Sequence, residues 1–282
     1  MSSNTVDFQI SPSGQSCGAE VTGLDLSQAL GADTIEAVRS AWLKHHVLAF
    51  PDQKLSSDQL ERFATQFGEL GDDPFFNPIP GRQHIAAVRR EAEDTNPIFA
   101  EFWHSDWSFM PRPPSGTVLY AIDIPPKGGD THFSNQHKSF AAMPEDMRKR
   151  FDGLQAIHSP KLGYSLKGAY GDVTKNGSMD IKPSAEAETM YHTHPLAPIH
   201  PETGEQGFLS GISYIVGFEG LSDEAAYPLL RELNEWQSQQ EFLYCHRWQT
   251  NMLVLWDNRS VIHKATGGYE GYRRELHRVT VY

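Results

Sequence analysis

Apolar residues recur at helical spacing in two segments near the beginning of the chain. Residues 33–46 (DTIEAVRSAWLKHH) place apolar side chains on one helix face, and Asp33 is expected to cap that helix. Residues 56–68 (SSDQLERFATQFG) show a second amphipathic pattern that is expected to end at Gly68. The apolar positions of the two predicted helices are Ile35, Val38, Ala41, Trp42, Leu60, Phe63, Ala64 and Phe67.

Short segments with the pattern of β-strands make up most of the remaining chain. VLAFP at 47–51 predicts a buried strand that Pro51 stops, and residues 17–28 predict short strands with a turn. Further strands are expected in HIAAV, EFWHSDWSF, GTVLYAIDI, GDTHFSN, NMLVLWD and ELHRVTVY, with helices near 143–153 and 222–240. This order predicts a mainly β fold with flanking helices, of the sandwich or jelly-roll type.

One long segment, residues 163–190, is rich in Gly, Ser, Lys and Asp and has little periodicity. Irregular segments of this length inside compact domains are usually lids or mobile loops. The sequence therefore predicts a lid near 163–190.

The charge and the cysteines narrow the class of protein. A net charge of −12 over 282 residues argues against a nucleic-acid partner and against an anionic membrane surface. The N-terminus MSSNTVDFQI has no pattern of a secretory signal, and no apolar run approaches the roughly 20 residues that span a bilayer. Cys17 and Cys245 form no CxxC pair, which suits a reducing cytoplasm.

The segment FWHSDW at 102–107 contains a candidate metal-binding pair. On a strand His104 and Asp106 project from the same face, so they can bind a metal at adjacent coordination positions. The same triplet also fits a hydrogen-bonded His–Asp pair, so its signal is weak when taken alone.

Two later segments strengthen the metal interpretation. An apolar strand runs through WDNR at 256–259 to His263, and alternation along ELHRVTVY puts Arg274 and Arg278 on one face. Inward arginines are costly unless they meet anions, although surface salt bridges are the alternative. Two histidines and one carboxylate form the facial triad of non-haem iron(II) oxygenases, which leaves coordination positions open for a chelating co-substrate. An arginine is well suited to bind the far carboxylate of such a co-substrate.

These motifs resemble the TauD/TfdA family of Fe(II)/2-oxoglutarate-dependent dioxygenases, which includes taurine dioxygenase. The matching residues are WHSD at 103–106, GGDT at 128–131, WDNR at 256–259 with His263, and RRELHR at 273–278. The N-terminal GAEVTGLDL is also similar. Because the resemblance covers nearly the whole chain, it implies a single domain over 1–282 with a double-stranded β-helix (jelly-roll) core.

The resemblance also implies roles for individual residues. His104, Asp106 and His263 would bind Fe(II), whereas Arg274 and Thr131 would bind the distal carboxylate of 2-oxoglutarate. Arg278 would lie nearer the iron, facing the substrate or the chelating carboxylate. The implied reaction consumes O₂ and 2-oxoglutarate and yields succinate and CO₂. A carboxylate at position 106 favours hydroxylation over halogenation.

The substrate follows less directly from the resemblance. Large side chains are expected to wall the substrate pocket, namely Phe76, Trp107, Phe109 and Tyr214. Ala100 and Asp73 depart from the taurine enzyme's pattern, which argues against taurine itself. Arg278 predicts a small substrate with an anionic head group, such as a carboxylate, sulfonate, sulfate ester or phosphonate. An internal acid such as Asp73 is the other anion that Arg278 is able to meet.

Other interpretations stay open at this point. A non-catalytic jelly-roll sensor or binding protein would keep the metal site, and an oxidative outcome such as desaturation would use the same residues. His192 and His194 form a second same-face pair, but the surrounding segment through His200 is structural in the family. The family also implies a homo-oligomer, either a dimer or a tetramer.

Overall fold

The computed structural model describes residues 7–282. In chain order its strands are β1 (Gln9–Pro12), β2 (Ala19–Thr22), β3 (Val47–Phe50), β4 (Ala86–Arg90), β5 (Gly116–Asp123), β6 (Thr131–Asn135), β7 (Gln155–His158), β8 (His192–Pro195), β9 (Ile215–Phe218), β10 (Leu243–His246), β11 (Leu253–Asp257), β12 (Val261–Ala265) and β13 (Arg274–Val281). Its helices are α1 (Ala32–His45), α2 (Ser57–Ala64), α3 (Gln136–Ala142), α4 (Glu145–Phe151), α5 (Lys161–Tyr164) and α6 (Asp223–Gln237), with 3₁₀ turns at Val173–Lys175, Glu186–Glu188 and Gln240–Phe242.

Two sheets pack against each other around the core that carries the site. The larger has the strand order β1-β2-β3-β11-β5-β13-β4, and the smaller has the order β10-β6-β12. Val254 and Leu276 of the larger sheet share one buried cluster with Phe133 of the smaller sheet. This arrangement confirms the predicted mainly β, jelly-roll fold. A further sheet, β8-β7-β9, is separate from these two.

Helices α1 and α2 cover the opposite face of the larger sheet. Trp42 of α1 and Phe63 of α2 belong to a buried cluster with Leu48, Val118 and Leu255 of the strands. Burial of these apolar faces stabilises both helices more than their intrinsic propensity does. None of the helices in residues 7–282 combines the length and apolar character that crossing a bilayer requires.

The two predicted helices exist, but both predicted ends need correction. Gly31 caps α1, and Asp33 lies inside the first turn, where its carboxylate faces the positive end of the helix dipole. Helix α2 begins with a capping box at Ser56 and ends at Ala64, four residues before Gly68. Gly68 is needed elsewhere, because a Cβ there would lie 2.2 Å from the backbone oxygen of Tyr282.

The strand predicted in EFWHSDWSF is wrong. Only His104 forms a β-bridge, with His263, through backbone hydrogen bonds of 3.1 and 2.8 Å. The chain then turns at Asp106, and Trp107 has a φ of 46° that no strand permits. The side chain of Trp107 is completely buried, so tertiary packing holds this unusual backbone conformation in place.

Residues 163–190 contain little regular structure, as their composition predicts. The segment includes the end of α5 and two 3₁₀ turns. It is nevertheless well packed, because Tyr164, Met179 and Ile181 are buried against Phe75 and Phe76. Its mobility as a lid stays a prediction.

Candidate active site

Three side chains from two distant parts of the chain, 104–106 and 263, converge in the interior. Nε2 of His104 lies 3.5 Å from Oδ1 of Asp106, and Nε2 of His263 lies 3.7 Å from the same oxygen. All three residues are buried, and their ligand atoms lie within 4.8 Å of one another. Within residues 7–282 this is the one cluster of three His, Cys, Asp or Glu side chains close enough to share a metal ion.

The protonation of the cluster suits a divalent metal. Burial lowers the pKa of His263 to about 3, so the imidazole is neutral. Burial opposes ionisation of the Asp106 carboxyl, but the neighbouring imidazoles and Arg278 outweigh it and hold its pKa below the usual range. Neutral imidazole and ionised carboxylate are the forms that bind metals, and this ligand set is typical of non-haem iron.

Hydrogen bonds to the far sides of His104 and Asp106 orient these two ligands. Nδ1 of His104 lies 2.9 Å from the carbonyl oxygen of Phe102, which turns Nε2 inward. The hydroxyl of Thr117 donates to Oδ2 of Asp106 at 2.7 Å and leaves Oδ1 to face the histidines. Asn258 in turn donates to the Thr117 hydroxyl at 2.9 Å. Thr117 could not be identified from the sequence, because β5 has the pattern of an ordinary strand.

The WDNR motif at 256–259 supports the metal cluster through buried hydrogen bonds. The side-chain oxygen of Asn258 accepts from Trp256 at 2.9 Å, and it accepts from the backbone N–H of Asp106 at 3.4 Å. Asp257 is buried and accepts from His200 at 3.0 Å and from Arg259 at 2.7 Å. The segment HPETG at 200–204 thus has a structural contact through His200.

Arg274 is a buried cation without a carboxylate partner in the described part of the chain. Its Nη2 donates to the carbonyl oxygen of Gly129 at 3.0 Å, and its Nε has no partner. Burial lowers the pKa of its guanidinium, against weaker opposition from Tyr269 and Asp130. The GGDT motif makes room for it, since Gly129 has a φ of 70° and a Cβ there would lie 3.0 Å from Nε. An unpaired arginine in this position fits an anionic ligand.

Thr131 lies in the same cavity as Arg274 and the metal cluster. Its hydroxyl oxygen accepts a hydrogen bond of 2.9 Å from Nε1 of Trp248. This bond occupies one lone pair, so the hydroxyl hydrogen is free to donate to an anion beside Arg274. Trp248 was missed by the sequence analysis, although it stands at a strand-like alternate position after Tyr244 and His246.

Arg278 differs from Arg274 because it already has an anion. It forms an ion pair with Asp73, and its Nη1 lies 3.9 Å from Oδ1 of Asp106. Burial alone would lower the pKa of Arg278, but these carboxylates outweigh it and raise the pKa. Several anions were expected as the partner of Arg278, and the one that pairs with it in the structure is the carboxylate of Asp73.

The four expected wall residues occupy two different places. Phe76, Trp107 and Phe109 are almost fully buried and do not line the two cavities nearest the metal cluster. The rings of Phe76 and Trp107 instead support the guanidinium of Arg278, with centroids 4.8 and 4.7 Å from its carbon. Tyr214 does line a cavity.

Two adjoining cavities meet at His104. The inner one contains the metal cluster with Arg274, Arg278 and Thr131. The outer one has a volume of about 420 Å³ and is walled mainly by aromatic and apolar side chains. The aromatic residues that line the outer cavity, besides His104, are Phe99, Phe102, Tyr164, Tyr170 and Tyr214. All of them except Tyr214 were missed as wall residues, because aromatic residues in irregular segments carry no periodic signal.

Comparison with known proteins identifies the class that the fold and metal cluster define. The family model described as "Taurine catabolism dioxygenase TauD, TfdA family" matches residues 9–280. The (S)-phenoxypropionate/alpha-ketoglutarate-dioxygenase of Sphingobium herbicidovorans is 32% identical over 268 residues, covering 92% of this chain and 89% of that protein. The alpha-ketoglutarate-dependent 2,4-dichlorophenoxyacetate dioxygenase of Cupriavidus pinatubonensis is 32% identical over 279 residues, 93% of each chain.

A solved structure agrees with these relatives. The crystal structure of a taurine dioxygenase from Burkholderia xenovorans superposes with a TM-score of 0.78 at 26% identity, covering 97% of this chain and 89% of that one. The protein is a dioxygenase that depends on 2-oxoglutarate, which is also called alpha-ketoglutarate. The chain belongs to the TauD, TfdA family.

Proposed function

We propose that this chain hydroxylates a small organic substrate that has an apolar body and one acidic group, using Fe(II), 2-oxoglutarate and O₂. The observation that carries the proposal is the cluster of His104, Asp106 and His263 beside the unpaired, buried Arg274. The whole chain, 1–282, would act as one dioxygenase domain.

The residues of the inner cavity are proposed to bind either the iron or the co-substrate. His104, Asp106 and His263 would hold the iron, and Arg274 and Thr131 would bind the distal carboxylate of 2-oxoglutarate. When bound, iron and 2-oxoglutarate supply the oxidising power that inserts oxygen into a C–H bond, with succinate and CO₂ as products. The protein's own contribution is to position these groups and to exclude water.

The outer cavity supports an aromatic or alkyl body for the substrate. Its volume of about 420 Å³ falls in the range of small-molecule pockets, and its walls are mostly rings. The two relatives described above are named for phenoxypropionate and 2,4-dichlorophenoxyacetate, which are acids with an aromatic body. A two-carbon sulfonate such as taurine would leave most of this cavity unfilled.

A substrate panel tests the proposal. The iron-loaded enzyme is given aryloxy acids, alkyl sulfates, short sulfonates and phosphonates, and neutral and cationic compounds of matched size. We expect succinate release above the substrate-free rate, together with a hydroxylated product, for an acid with an apolar body. Coupled turnover by neutral or cationic compounds alone would show that the acidic-substrate proposal is wrong.

We also propose that residues 163–190 act as a lid over the outer cavity. Tyr164 and Tyr170 of this segment form part of the cavity wall. Filling the cavity should therefore protect the segment from hydrogen exchange. Hydrogen exchange with and without an active acid from the panel measures this, with peptides from β5 as the control. Equal exchange of 163–190 in both states would count against a lid.

A cytoplasmic location is proposed from the cysteines. Cys17 and Cys245 are both free thiols, which is consistent with the cytoplasm.

A homo-oligomer is proposed from the family resemblance alone. Light scattering of the purified protein measures its mass directly.

A further inference from the structure

Arg278 is fixed in the wall of the inner cavity. Its guanidinium packs against the buried rings of Phe76 and Trp107 and reaches to 3.9 Å from the carboxylate of Asp106. A side chain packed against two buried rings and paired with Asp73 has little freedom to move toward a ligand. An acidic group that enters the inner cavity therefore meets Arg278 in this position.

Asp73 already balances the charge of Arg278. One carboxylate oxygen of Asp73 accepts from the backbone N–H groups of Phe75 and Phe76 at 3.2 and 3.1 Å, and the other pairs with Arg278. The turn that starts at Asp73 thus fixes the carboxylate against the guanidinium. Arg274, four residues earlier on the same strand face, has no such carboxylate.

The outer cavity has little positive charge with which to bind an acidic substrate. Among its lining residues Lys175 is the one lysine or arginine, its side chain is 80% exposed, and it pairs with Asp172 at 3.0 Å. An exposed, paired lysine contributes little to binding an anion, because water screens it. Arg89 and Arg90 also line the inner cavity, but Arg89 lies 3.7 Å from Glu91 and Arg90 donates to two backbone carbonyl oxygens. Apart from Arg274, which is proposed to bind the co-substrate, Arg278 is therefore the arginine that an acidic group beside the metal cluster would meet.

We infer that Asp73 is a specificity-determining residue that weakens the binding of an acid relative to its neutral isostere. An acidic group must share Arg278 with Asp73 or displace it, whereas a neutral group of the same shape meets no like charge. The inference rests on the proposed function only in placing the substrate beside Arg278. It predicts that removing the Asp73 charge shifts the enzyme's preference toward acids.

The test compares Asp73→Asn with the unmodified enzyme, each loaded with iron(II) and 2-oxoglutarate without oxygen. Calorimetry measures the affinity for phenoxyacetate and for its primary amide. Asparagine keeps an oxygen for the two backbone N–H groups but removes the charge. We expect the acid-to-amide affinity ratio to rise by about ten- to a hundredfold, the range of one charged hydrogen bond. Asp73→Ser serves as a second variant should Asp73→Asn fold poorly.

Asp72→Asn is the matched control, because it removes the same charge one residue away. Asp72 is 66% exposed and faces His84, so its loss should leave the ratio unchanged. An Asp73 variant that gains no affinity for the acid, including one that binds neither probe, overturns the inference. Equal losses for acid and amide would mean that Asp73 only positions Arg278, which also overturns it.

A separate measurement distinguishes failure of this inference from failure of the proposed function. The visible charge-transfer absorption of the enzyme with iron(II) and 2-oxoglutarate, measured without substrate, reports the iron site alone. Its absence from the unmodified enzyme would count against the proposed function, whereas the acid-to-amide affinity ratio reports the role of Asp73.

Discussion

Replacing His104 or His263 with alanine is expected to lower the affinity for iron(II) by more than about a hundredfold and to abolish succinate release. Each histidine supplies one of three ligand atoms that lie within 4.8 Å of one another, so either loss leaves two ligands. Calorimetric titration with iron(II) in the absence of oxygen measures the affinity. The visible charge-transfer absorption that chelation of iron(II) by 2-oxoglutarate produces provides an independent readout.

His132→Ala is the matched control for these variants. His132 lies on β6 beside Thr131, but it faces away from the cavity, and it does not belong to the metal cluster. Iron affinity and turnover should be retained in that variant. Charge-transfer absorption that persists in both His104→Ala and His263→Ala would show that the iron ligands are assigned incorrectly. Tight iron binding without succinate release from any compound of the panel would count against the proposed hydroxylation.

The spacing of the motifs predicted the metal cluster, but the local structure behind that prediction was wrong. His104 and Asp106 were expected to share the face of a strand. They converge instead because His104 bridges to His263 and the chain then turns at Asp106. A positive φ at a residue such as Trp107 costs on the order of 1–3 kcal/mol. Packing of the Trp107 side chain in the interior compensates for that cost. A local sequence pattern therefore does not predict the positive φ.

The sequence predicted the inward face of Arg278 and left its partner open for a physical reason. Asp73 and Arg278 are 205 residues apart in sequence, and no periodic pattern links them. The contacts of the aromatic side chains around Arg278 could not be predicted for the same reason. Burial of Phe76 and Trp107 could be anticipated from their size, but their position beneath a guanidinium depends on the packing of residues 163–190 and β13 together.

The GGDT motif at 128–131 resembles the family motif, but the sequence alone does not explain why its first two residues are glycines. Gly128 has a φ of 67°, and a Cβ there would lie 2.6 Å from the backbone of Gly268. The two loops therefore approach each other closely, which places Gly129 against Arg274. An alanine at either position would move the arginine that is proposed to bind the co-substrate.

Replacing Arg274 with alanine is expected to weaken 2-oxoglutarate binding by ten- to a hundredfold or more while leaving iron affinity nearly unchanged. A charge-assisted contact is worth about 1.5–3 kcal/mol, and more when its partner is left buried and unpaired. Arg274 is buried, lacks a carboxylate partner and shares its cavity with Thr131. Calorimetry of the iron(II) enzyme with 2-oxoglutarate measures the loss.

Three companion variants make the Arg274 result specific. Arg274→Lys should recover only part of the affinity, because a lysine cannot form the two parallel hydrogen bonds of a guanidinium. Thr131→Val should cause a smaller loss than Arg274→Ala, since it removes one neutral donor. Arg273→Ala is the control, because Arg273 pairs with Glu91 and Asp123 outside the cavity. If Arg274→Ala binds 2-oxoglutarate as tightly as Arg273→Ala does, another cation binds the distal carboxylate and the assignment of Arg274 is wrong.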